Sequence, residues 1–240
     1  MYSISLNMKF WDDGQPDSTR IRNVIYSWDQ LKKFTSFLKS EGIIADCFLF
    51  DFSPEKIIED AIHITYPLGE YKKAEKTNII LKQNSNYDFF MMVDCDAFFH
   101  EDDYQNFLEL YKSLEENNVI TFDLAKLFDN VSDYLIDGVF HKDKADWSYA
   151  YSGDRSKGPL NGHSGGLGGV YICYTKILTD LNGFDEKYVG WGGEDGDMMG
   201  RIWQAGFVNK IKPTRNFAPF HLPHYFDWYN INYTKRFTEE

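Results

Sequence analysis

Two acidic segments, about a hundred residues apart, carry side chains that could do chemistry. Asp94 and Asp96 directly follow a nearly continuous apolar run at 87–93, and Glu194 and Asp195 stand in the glycine-rich stretch GWGGEDGD. Paired carboxylates can hold a hard divalent cation, and a positioned carboxylate can take a proton from a hydroxyl group. The two segments are therefore candidate halves of one active site.

The first segment is predicted to end a buried strand. Because side chains alternate along a strand, Asp94 and Asp96 should point the same way, with Cys95 opposed. Ligands bind at the carboxyl ends of strands in open α/β sheets, where this pair could hold Mn²⁺ or Mg²⁺ against a diphosphate. Aspartates also end strands as plain turn formers, and an isolated Asp-x-Asp often has no function. The apolar run before it favours the metal site.

The second segment is predicted to open a helix. Acidic residues in a first helical turn also complement the helix dipole, so Glu194 and Asp195 alone would indicate little. Gly192 and Gly193 let the backbone approach a ligand closely and let a loop move, and Trp191 before them could stack on a sugar or act as a lid. In that setting Asp195 is a candidate general base.

Two histidines, His221 and His224, lie near the end of the sequence in the stretch FHLPHYFDWY. A lone histidine is more often a packed or surface residue than a ligand. An imidazole added to the two aspartates would complete a metal site and favour Mn²⁺ over Mg²⁺. We therefore expect one of the two histidines to bind the metal.

These segments must be positioned by an alternation of strands and helices. Strands are predicted at 3–10, 43–50, 63–66, 87–93 and 170–173, and helices at 27–38, 71–81, 104–114, 177–181 and 198–205, with a further helix from the Ser53-Pro54 pair. This rhythm predicts an α/β fold with an open, mostly parallel sheet flanked by helices. The polar stretch from 138 to 169 has no clean period, as functional or disordered loops do.

Composition narrows the class of partner and the compartment. The chain has 240 residues and a net charge of −12, which disfavours nucleic acid as a partner. Its three cysteines form neither a disulfide framework nor a zinc pattern, which suits a reducing compartment. We find no signal peptide and no apolar stretch long enough for a transmembrane segment, so we expect a cytoplasmic protein.

Taken together, these segments resemble the GT-A glycosyltransferases, and most closely the β-1,4-galactosyltransferase and chondroitin-polymerase type with its galactosyltransferase C-terminal domain. The stretch DCD matches the Asp-x-Asp motif, and GGV at 168–170 is similar to the strand that lines the donor sugar. YKKAEKTN resembles the helix before the metal-binding strand, and FDEKYVGWGGED matches the most distinctive segment of the family. The similarity covers residues 66–224.

The resemblance implies an inverting transfer of a hexose or N-acetylhexosamine from a UDP-sugar, with Mn²⁺ or Mg²⁺ as cofactor. It implies a single GT-A domain over 1–240, with a Rossmann-like nucleotide-binding half at about 1–100 and a more irregular donor-sugar and acceptor half at about 101–240. The implied catalytic residues are Asp195 and Glu194, and the implied metal ligands are Asp94, Asp96 and His221 or His224, with His221 preferred. The implied donor-binding residues are Lys73, Asn78, Asp94, Gly168 and Gly169, and the implied acceptor or lid residues are Trp191, Gly192, Gly193 and Glu194.

Some positions depart from the family pattern. Gly196 stands where relatives often carry a further acid, and the residue before the donor-lining glycines is Leu167 instead of an aromatic one, so galactose is not implied as the donor sugar. The expected acceptor is a glycan or a lipid-linked saccharide of bacterial surface polysaccharide, the latter with peripheral contact to the inner membrane.

Two other functions fit the same fold class. A non-catalytic glycan-binding protein would also use the aromatic content, but it should not bind UDP in the presence of Mn²⁺. A sugar nucleotidyltransferase would use a similar acidic metal site, but residues 3–22 lack its glycine-rich, basic phosphate loop.

Overall fold

The computed structural model describes residues 2–11, 18–67, 72–122, 124–126, 135–136, 139–140, 167, 169–190, 192–211, 219–222 and 235–236. Its strands are β1 (Ser3–Phe10), β2 (Ile44–Asp51), β3 (Ile62–His63), β4 (Phe89–Asp94), β5 (Ala97–Phe98), β6 (Asn118–Phe122), β7 (Ala125–Lys126), β8 (Leu135–Ile136), β9 (Val139–Phe140), β10 (Val170–Tyr174), β11 (Tyr188–Val189), β12 (Val208–Ile211), β13 (Phe220–His221) and β14 (Lys235–Arg236). Its helices are α1 (Ser18–Ser40), α2 (Lys73–Gln83), α3 (Tyr104–Lys112), α4 (Thr175–Asp180) and α5 (Glu194–Gln204).

A seven-stranded sheet in the order β12-β6-β10-β4-β1-β2-β3 forms the centre of the fold. β1 pairs in parallel with β2 and β4, and β6 pairs in parallel with β12, while β10 runs antiparallel between β4 and β6. Between β10 and β6, Val170 lies opposite Phe122. The predicted fold class, an α/β fold with an open, mostly parallel mixed sheet flanked by helices, is confirmed.

Helices cover both faces of the sheet, which explains why the sequence of β4 is apolar throughout. Met91 and Val93 face a core shared with α1 and α3, whereas Phe90 and Met92 face a second core shared with α2, α4 and α5. The strand needs apolar residues at successive positions because its side chains alternate between these two cores. Asp94 is the first polar residue of β4 and lies at the carboxyl end of the strand.

The helix predicted from residue 27 begins earlier, at Ser18. Its buried stripe extends back to Val24, and Ser27 is buried inside the helix instead of capping it. The capping-box interpretation of residues 27–30 was therefore wrong, because the apolar period continues through it.

The helix predicted from Ser53 is absent from the described residues, which form a loop there. The buried carboxylate of Asp51 accepts hydrogen bonds from the backbone N–H groups of Ser53, Ile57 and Ile58. These bonds hold the chain around the end of β2 in a loop. The remaining predicted elements are present with shifted ends, and the strand predicted at 63–66 is only Ile62–His63.

Much of the irregular stretch predicted at 138–169 lies outside the described residues. No described helix is both long enough and apolar enough to cross a lipid bilayer.

Candidate active site

The two acidic segments meet where β1 and β4 end. Lys9 lies opposite Asp94 in the parallel register of these strands. The backbone N–H of Asp94 donates to the carbonyl of Gly169, which leads into β10. Glu194 and Asp195 lie in the first turn of α5, as the sequence predicts, and this turn approaches the ends of β1 and β4. The side chain between the two segments is Lys73, from the first turn of α2.

Lys73 pairs with both acidic residues of α5. Its Nζ lies 2.6 Å from Oδ2 of Asp195 and 3.2 Å from Oε1 of Glu194, and the three side chains are 14%, 16% and 2% exposed. At such low exposure solvent screens the attraction weakly, and removing the cation would leave buried charges uncompensated. Lys73 also exerts the largest favourable charge effect on Asp94. One ammonium group therefore connects the two acidic segments.

The carboxyl groups around Lys73 are perturbed by burial. Burial raises the pKa of Glu194, and the negative charge of Asp195 raises it further, against the opposing effect of Lys73. Burial also raises the pKa of Asp94, where Lys73 opposes the shift and Asp96 reinforces it. Carboxyl groups with perturbed pKa values that lie close together are typical of acid–base sites.

Asp96 lies beside one of the two candidate histidines. Its Oδ1 is 3.5 Å from Nε2 of His221, and the backbone N–H of Leu222 donates to the Asp96 carbonyl at 2.7 Å. β13 also pairs with β5, so that His221 lies opposite Ala97. Two ligands about 2.1 Å from one ion lie roughly 3 Å apart at a right angle. The structure thus places His221 where a shared ion with Asp96 is possible, whereas His224 lies outside the described residues.

Asp96 and His221 together fit a metal ion whose other coordination positions are filled by a bound ligand. Within the described ranges, no group of three or more His, Cys, Asp or Glu side chains is gathered closely enough to hold an ion. One carboxylate and one imidazole are nevertheless a donor pair that suits Mn²⁺. The predicted third ligand Asp94 does not join Asp96 and His221 closely enough in this structure, so the remaining positions would fall to His224 or to a diphosphate.

Asn78 holds the turn that precedes the second acidic segment. Its Oδ1 accepts the Phe184 N–H, and its Nδ2 donates to the Phe184 carbonyl and to Oε1 of Glu186, each at 2.8 Å. A Cβ atom added to Gly183 would lie 2.4 Å from Oδ1 of Asn78. The amide of Asn78 is thus engaged by this turn, and its contact with a nucleotide stays a prediction.

Arg201 holds the same turn from the other side. Its Nη1 donates to the carbonyls of Leu181 and Gly183, each at 2.8 Å, and its Nε donates to Oδ2 of Asp197 at 2.9 Å. α2 and α5 are therefore both fastened to the turn between α4 and β11. Sequence reasoning missed Arg201, although its i,i+4 spacing from Asp197 is a recognisable signal.

The glycines of the second segment have backbones that favour glycine. Gly192 and Gly193 have φ values of +87° and +91°, and Gly193 immediately precedes α5. Other residue types would be strained there. Gly168 and Trp191 lie outside the described residues, so their predicted contacts with donor and acceptor stay predictions.

Two further lysines lie near the site and were not predicted. Nζ of Lys9 donates to Oγ1 of Thr77 at 2.9 Å, and burial, with the charge of Lys73, lowers the pKa of Lys9 to about 8. Nζ of Lys76 lies 4.2 Å and 4.3 Å from the ring centroids of Trp11 and Tyr66, and burial lowers its pKa to about 7. Three lysines, Lys9, Lys73 and Lys76, thus lie close together in an acidic chain, and a bound anion would favour their charged forms.

Comparison with known proteins agrees with this arrangement. A family model described as the N-terminal domain of galactosyltransferase matches residues 155–225, which include β10, α5 and His221. The catalytic domain of Drosophila β1,4-galactosyltransferase 7, in complex with xylobiose, superposes with a TM-score of 0.54 at 16% identity over 92% of this chain and 71% of that chain. A variant of that enzyme was solved with manganese, UDP-Gal and xylobiose.

Two further structures share the fold. GalNAc-T7 with UDP, GalNAc and Mn²⁺ gives a TM-score of 0.57 at 14% identity over 95% of this chain and 44% of that chain. S. aureus TarS gives 0.59 at 12% identity over 92% and 60%. These likenesses confirm the GT-A fold, and the family match confirms the resemblance to galactosyltransferases. Together they support a glycosyltransferase.

Proposed function

We propose that this chain is a metal-dependent, inverting glycosyltransferase that moves a hexose or N-acetylhexosamine from a UDP-sugar to a hydroxyl group of a glycan or lipid-linked saccharide. The observation that carries the proposal is the pairing of Lys73 with Glu194 and Asp195. The charges of Lys73 and Asp195 also act on Asp94 at the end of β4, two residues before the contact between Asp96 and His221. The metal and UDP-sugar complexes of two proteins with this fold support it.

The metal-binding residues of the proposal are Asp96 and His221. Asp94 would contact the ribose or the metal, and His224 is the other predicted ligand. When bound, Mn²⁺ or Mg²⁺ would neutralise charge on the leaving diphosphate. Lys73 and Lys9 would add positive charge for the phosphates, which the average surface of this acidic chain would repel.

The reaction of the proposal uses Asp195 as the base. Its carboxylate takes the proton of the acceptor hydroxyl while that oxygen bonds to the anomeric carbon, and the bond from this carbon to the diphosphate breaks with its electron pair going to UDP. Attack from the face opposite the diphosphate inverts the configuration. Glu194 orients a hydroxyl group of donor or acceptor, and Trp191 with Gly192 and Gly193 covers the site and excludes water.

The biological setting of the proposal is surface polysaccharide synthesis in a bacterium. A lipid-linked acceptor would bring the chain into contact with the cytoplasmic face of the membrane, whereas a soluble glycan would not. The proposal also treats residues 1–240 as one domain, whose nucleotide-binding half at about 1–100 and acceptor half at about 101–240 both contribute strands to the central sheet.

A thermal-shift panel of nucleotide sugars, with and without Mn²⁺, tests the proposal. One UDP-sugar should raise Tm by roughly 5–10 °C at about 100 times its Kd, and only when metal is present. Stabilisation by free glycans without any response to UDP would indicate a glycan-binding protein instead. Stabilisation by a nucleoside triphosphate, with release of pyrophosphate from a sugar phosphate, would indicate a nucleotidyltransferase.

A further inference from the structure

The acidic pair, Glu194 and Asp195, is linked to α2 by more than its ion pairs with Lys73. Asn78 of the same helix makes three hydrogen bonds of 2.8 Å with the turn at 184–186. Two of them engage the backbone N–H and the backbone carbonyl of one residue, so the amide fixes both the position and the orientation of the turn. This turn lies eight residues before the acidic pair along the chain.

Arg201 links the same turn to the first turn of α5. Its Nη1 donates to the carbonyls of Leu181 and Gly183, and its Nε donates to Oδ2 of Asp197. Asp197 follows Asp195 by two residues in the first turn of the helix. The guanidinium group is planar and its donors point in fixed directions, so these three bonds hold the start of α5 against the turn.

We propose that Asn78 and Arg201 are positioning residues, which hold the acidic pair in place for the transfer reaction through the turn at 181–186. This role replaces the nucleotide contact that the resemblance implied for Asn78. The inference rests on the proposed function in one respect, which is that the acidic pair acts on the substrates.

The proposed reaction explains why the acidic pair needs this second support. Lys73 is the direct link between α2 and the pair, and it is also a proposed source of positive charge for the phosphates. If its ammonium group turns towards the phosphates, its hold on Asp195 weakens. The hydrogen bonds of Asn78 and Arg201 to the turn do not depend on that ammonium group. Because a displacement of about 1 Å at a reacting group can cost roughly 100-fold in rate, a fixed turn matters for the reaction.

Steady-state kinetics and UDP affinity of Asn78→Ala test this assignment. The value of kcat should fall roughly 10–100-fold, whereas KM for the sugar donor and Kd for UDP with Mn²⁺ should change less than about twofold. A nucleotide contact would give the reverse pattern, a raised Kd with kcat largely kept, and that result would overturn the proposal. If Asn78→Ala does not fold, Asn78→Asp replaces it, since it keeps the acceptor for the Phe184 N–H and loses both donated bonds.

Asn84→Ala is the matched control, because this amide lies at the other end of α2 and donates to Oδ1 of Asn7 at 2.8 Å. It should lower Tm as Asn78→Ala does and leave kcat unchanged. An equal fall of kcat in Asn84→Ala would show a general effect of destabilisation and would overturn the proposal.

Arg201 allows a test by partial rescue. Arg201→Met should lower kcat about as much as Asn78→Ala, and Arg201→Lys should recover part of the rate, because an ammonium group can reach some of the three acceptors but does not match the fork of the guanidinium. The double variant Asn78→Ala with Arg201→Met should lower kcat little further, since both residues act through one turn. Effects that multiply would overturn the common role.

A comparison of thermal stability without ligand is independent of activity. Lys73→Met should lower Tm, because it leaves buried carboxylates uncompensated. This loss should be smaller by about 2–4 °C in an Asn78→Ala background, where the acidic pair is no longer held against Lys73, and unchanged in an Asn84→Ala background. Equal losses in all three backgrounds would overturn the proposal. A wild-type chain that neither binds UDP nor transfers sugar overturns the proposed function instead, while this comparison still decides whether the turn positions the pair.

Discussion

Nζ of Lys73 lies 2.6 Å from Oδ2 of Asp195, across a sequence separation of 122 residues. A residue predicted to bind the nucleotide and a residue predicted to be the base are therefore direct partners. The ammonium group of Lys73 compensates part of the negative charge that Glu194 and Asp195 bring to the site. The predictions below test the residues on each side of this contact.

Asp195→Asn should lower the transfer rate roughly 10²–10⁴-fold, because an amide cannot accept the acceptor proton. Affinity for UDP with Mn²⁺ should change little, since Asp195 is not a proposed metal ligand. Rates come from product formation with the sugar donor found in the thermal-shift panel. Asp180→Asn, an exposed residue of α4 paired with Lys176, serves as the control and should transfer normally. Full activity in Asp195→Asn would refute its role.

His221→Ala should lower the affinity for Mn²⁺ at least about 10-fold and weaken UDP binding only in the presence of metal. The reason is that the imidazole lies beside Asp96 and supplies the proposed nitrogen ligand. Free Mn²⁺ in a titration, followed by electron paramagnetic resonance, measures this. His100→Ala removes a histidine that accepts the Asp102 N–H near α3 and should keep the metal response. A normal Mn²⁺ titration of His221→Ala would point to His224.

Gly183→Ala should lower the free energy of unfolding by roughly 1–3 kcal/mol. The added methyl group would collide with Oδ1 of Asn78, and the backbone has a φ of +70°. Gly200→Ala is the opposite case, because this glycine lies inside α5 with open space around it, and it should raise stability by about 0.5–1 kcal/mol. Urea unfolding of both variants gives the comparison. Equal effects would show that the turn tolerates a side chain.

Lys76 should make stability rise with pH over a defined window. Burial lowers its pKa from 10.5 in the unfolded chain to about 7 in the native state. Between these values the unfolded chain binds more protons, so the free energy of unfolding increases with pH. Lys76→Met should remove this slope between about pH 7 and 10, whereas Lys33→Met, at an exposed position of α1, should keep it. Denaturation midpoints at several pH values measure the slope, and an unchanged slope in Lys76→Met would contradict the assignment.

Local patterns made much of the fold and half of the site predictable. The apolar run before Asp94 predicted a strand with two covered faces, and the helical spacing of Met198, Ile202 and Ala205 predicted a helix with Glu194 in its first turn. Both signals lie within about ten residues of chain, where periodicity and capping operate. The alternation of strands and helices also predicted a mostly parallel sheet, because parallel strands need helical crossovers.

The sequence could not predict contacts between elements that are far apart along the chain. Tyr171 lies opposite Met92 because β10 runs antiparallel to β4, and no local pattern of the sequence encodes that direction. The pairing of Asn78 with Phe184 likewise depends on how α2 packs beside a turn 106 residues later. The helix predicted at Ser53 does not form for a related reason. The carboxylate of Asp51 accepts hydrogen bonds from backbone N–H groups of this segment and holds it in a loop.

The pairing of Val170 with Phe122 has a consequence for how the central sheet forms. These two residues face each other on neighbouring strands although 170 − 122 = 48 positions separate them in sequence, so the strands can pair only after a long loop has closed. Because the entropy of closing a loop grows slowly with its length, this closure costs only about 0.6 kcal/mol more than that of a loop half as long. The main-chain hydrogen bond from Asp94 to Gly169 then joins the end of β4 to the start of β10 beside the candidate site.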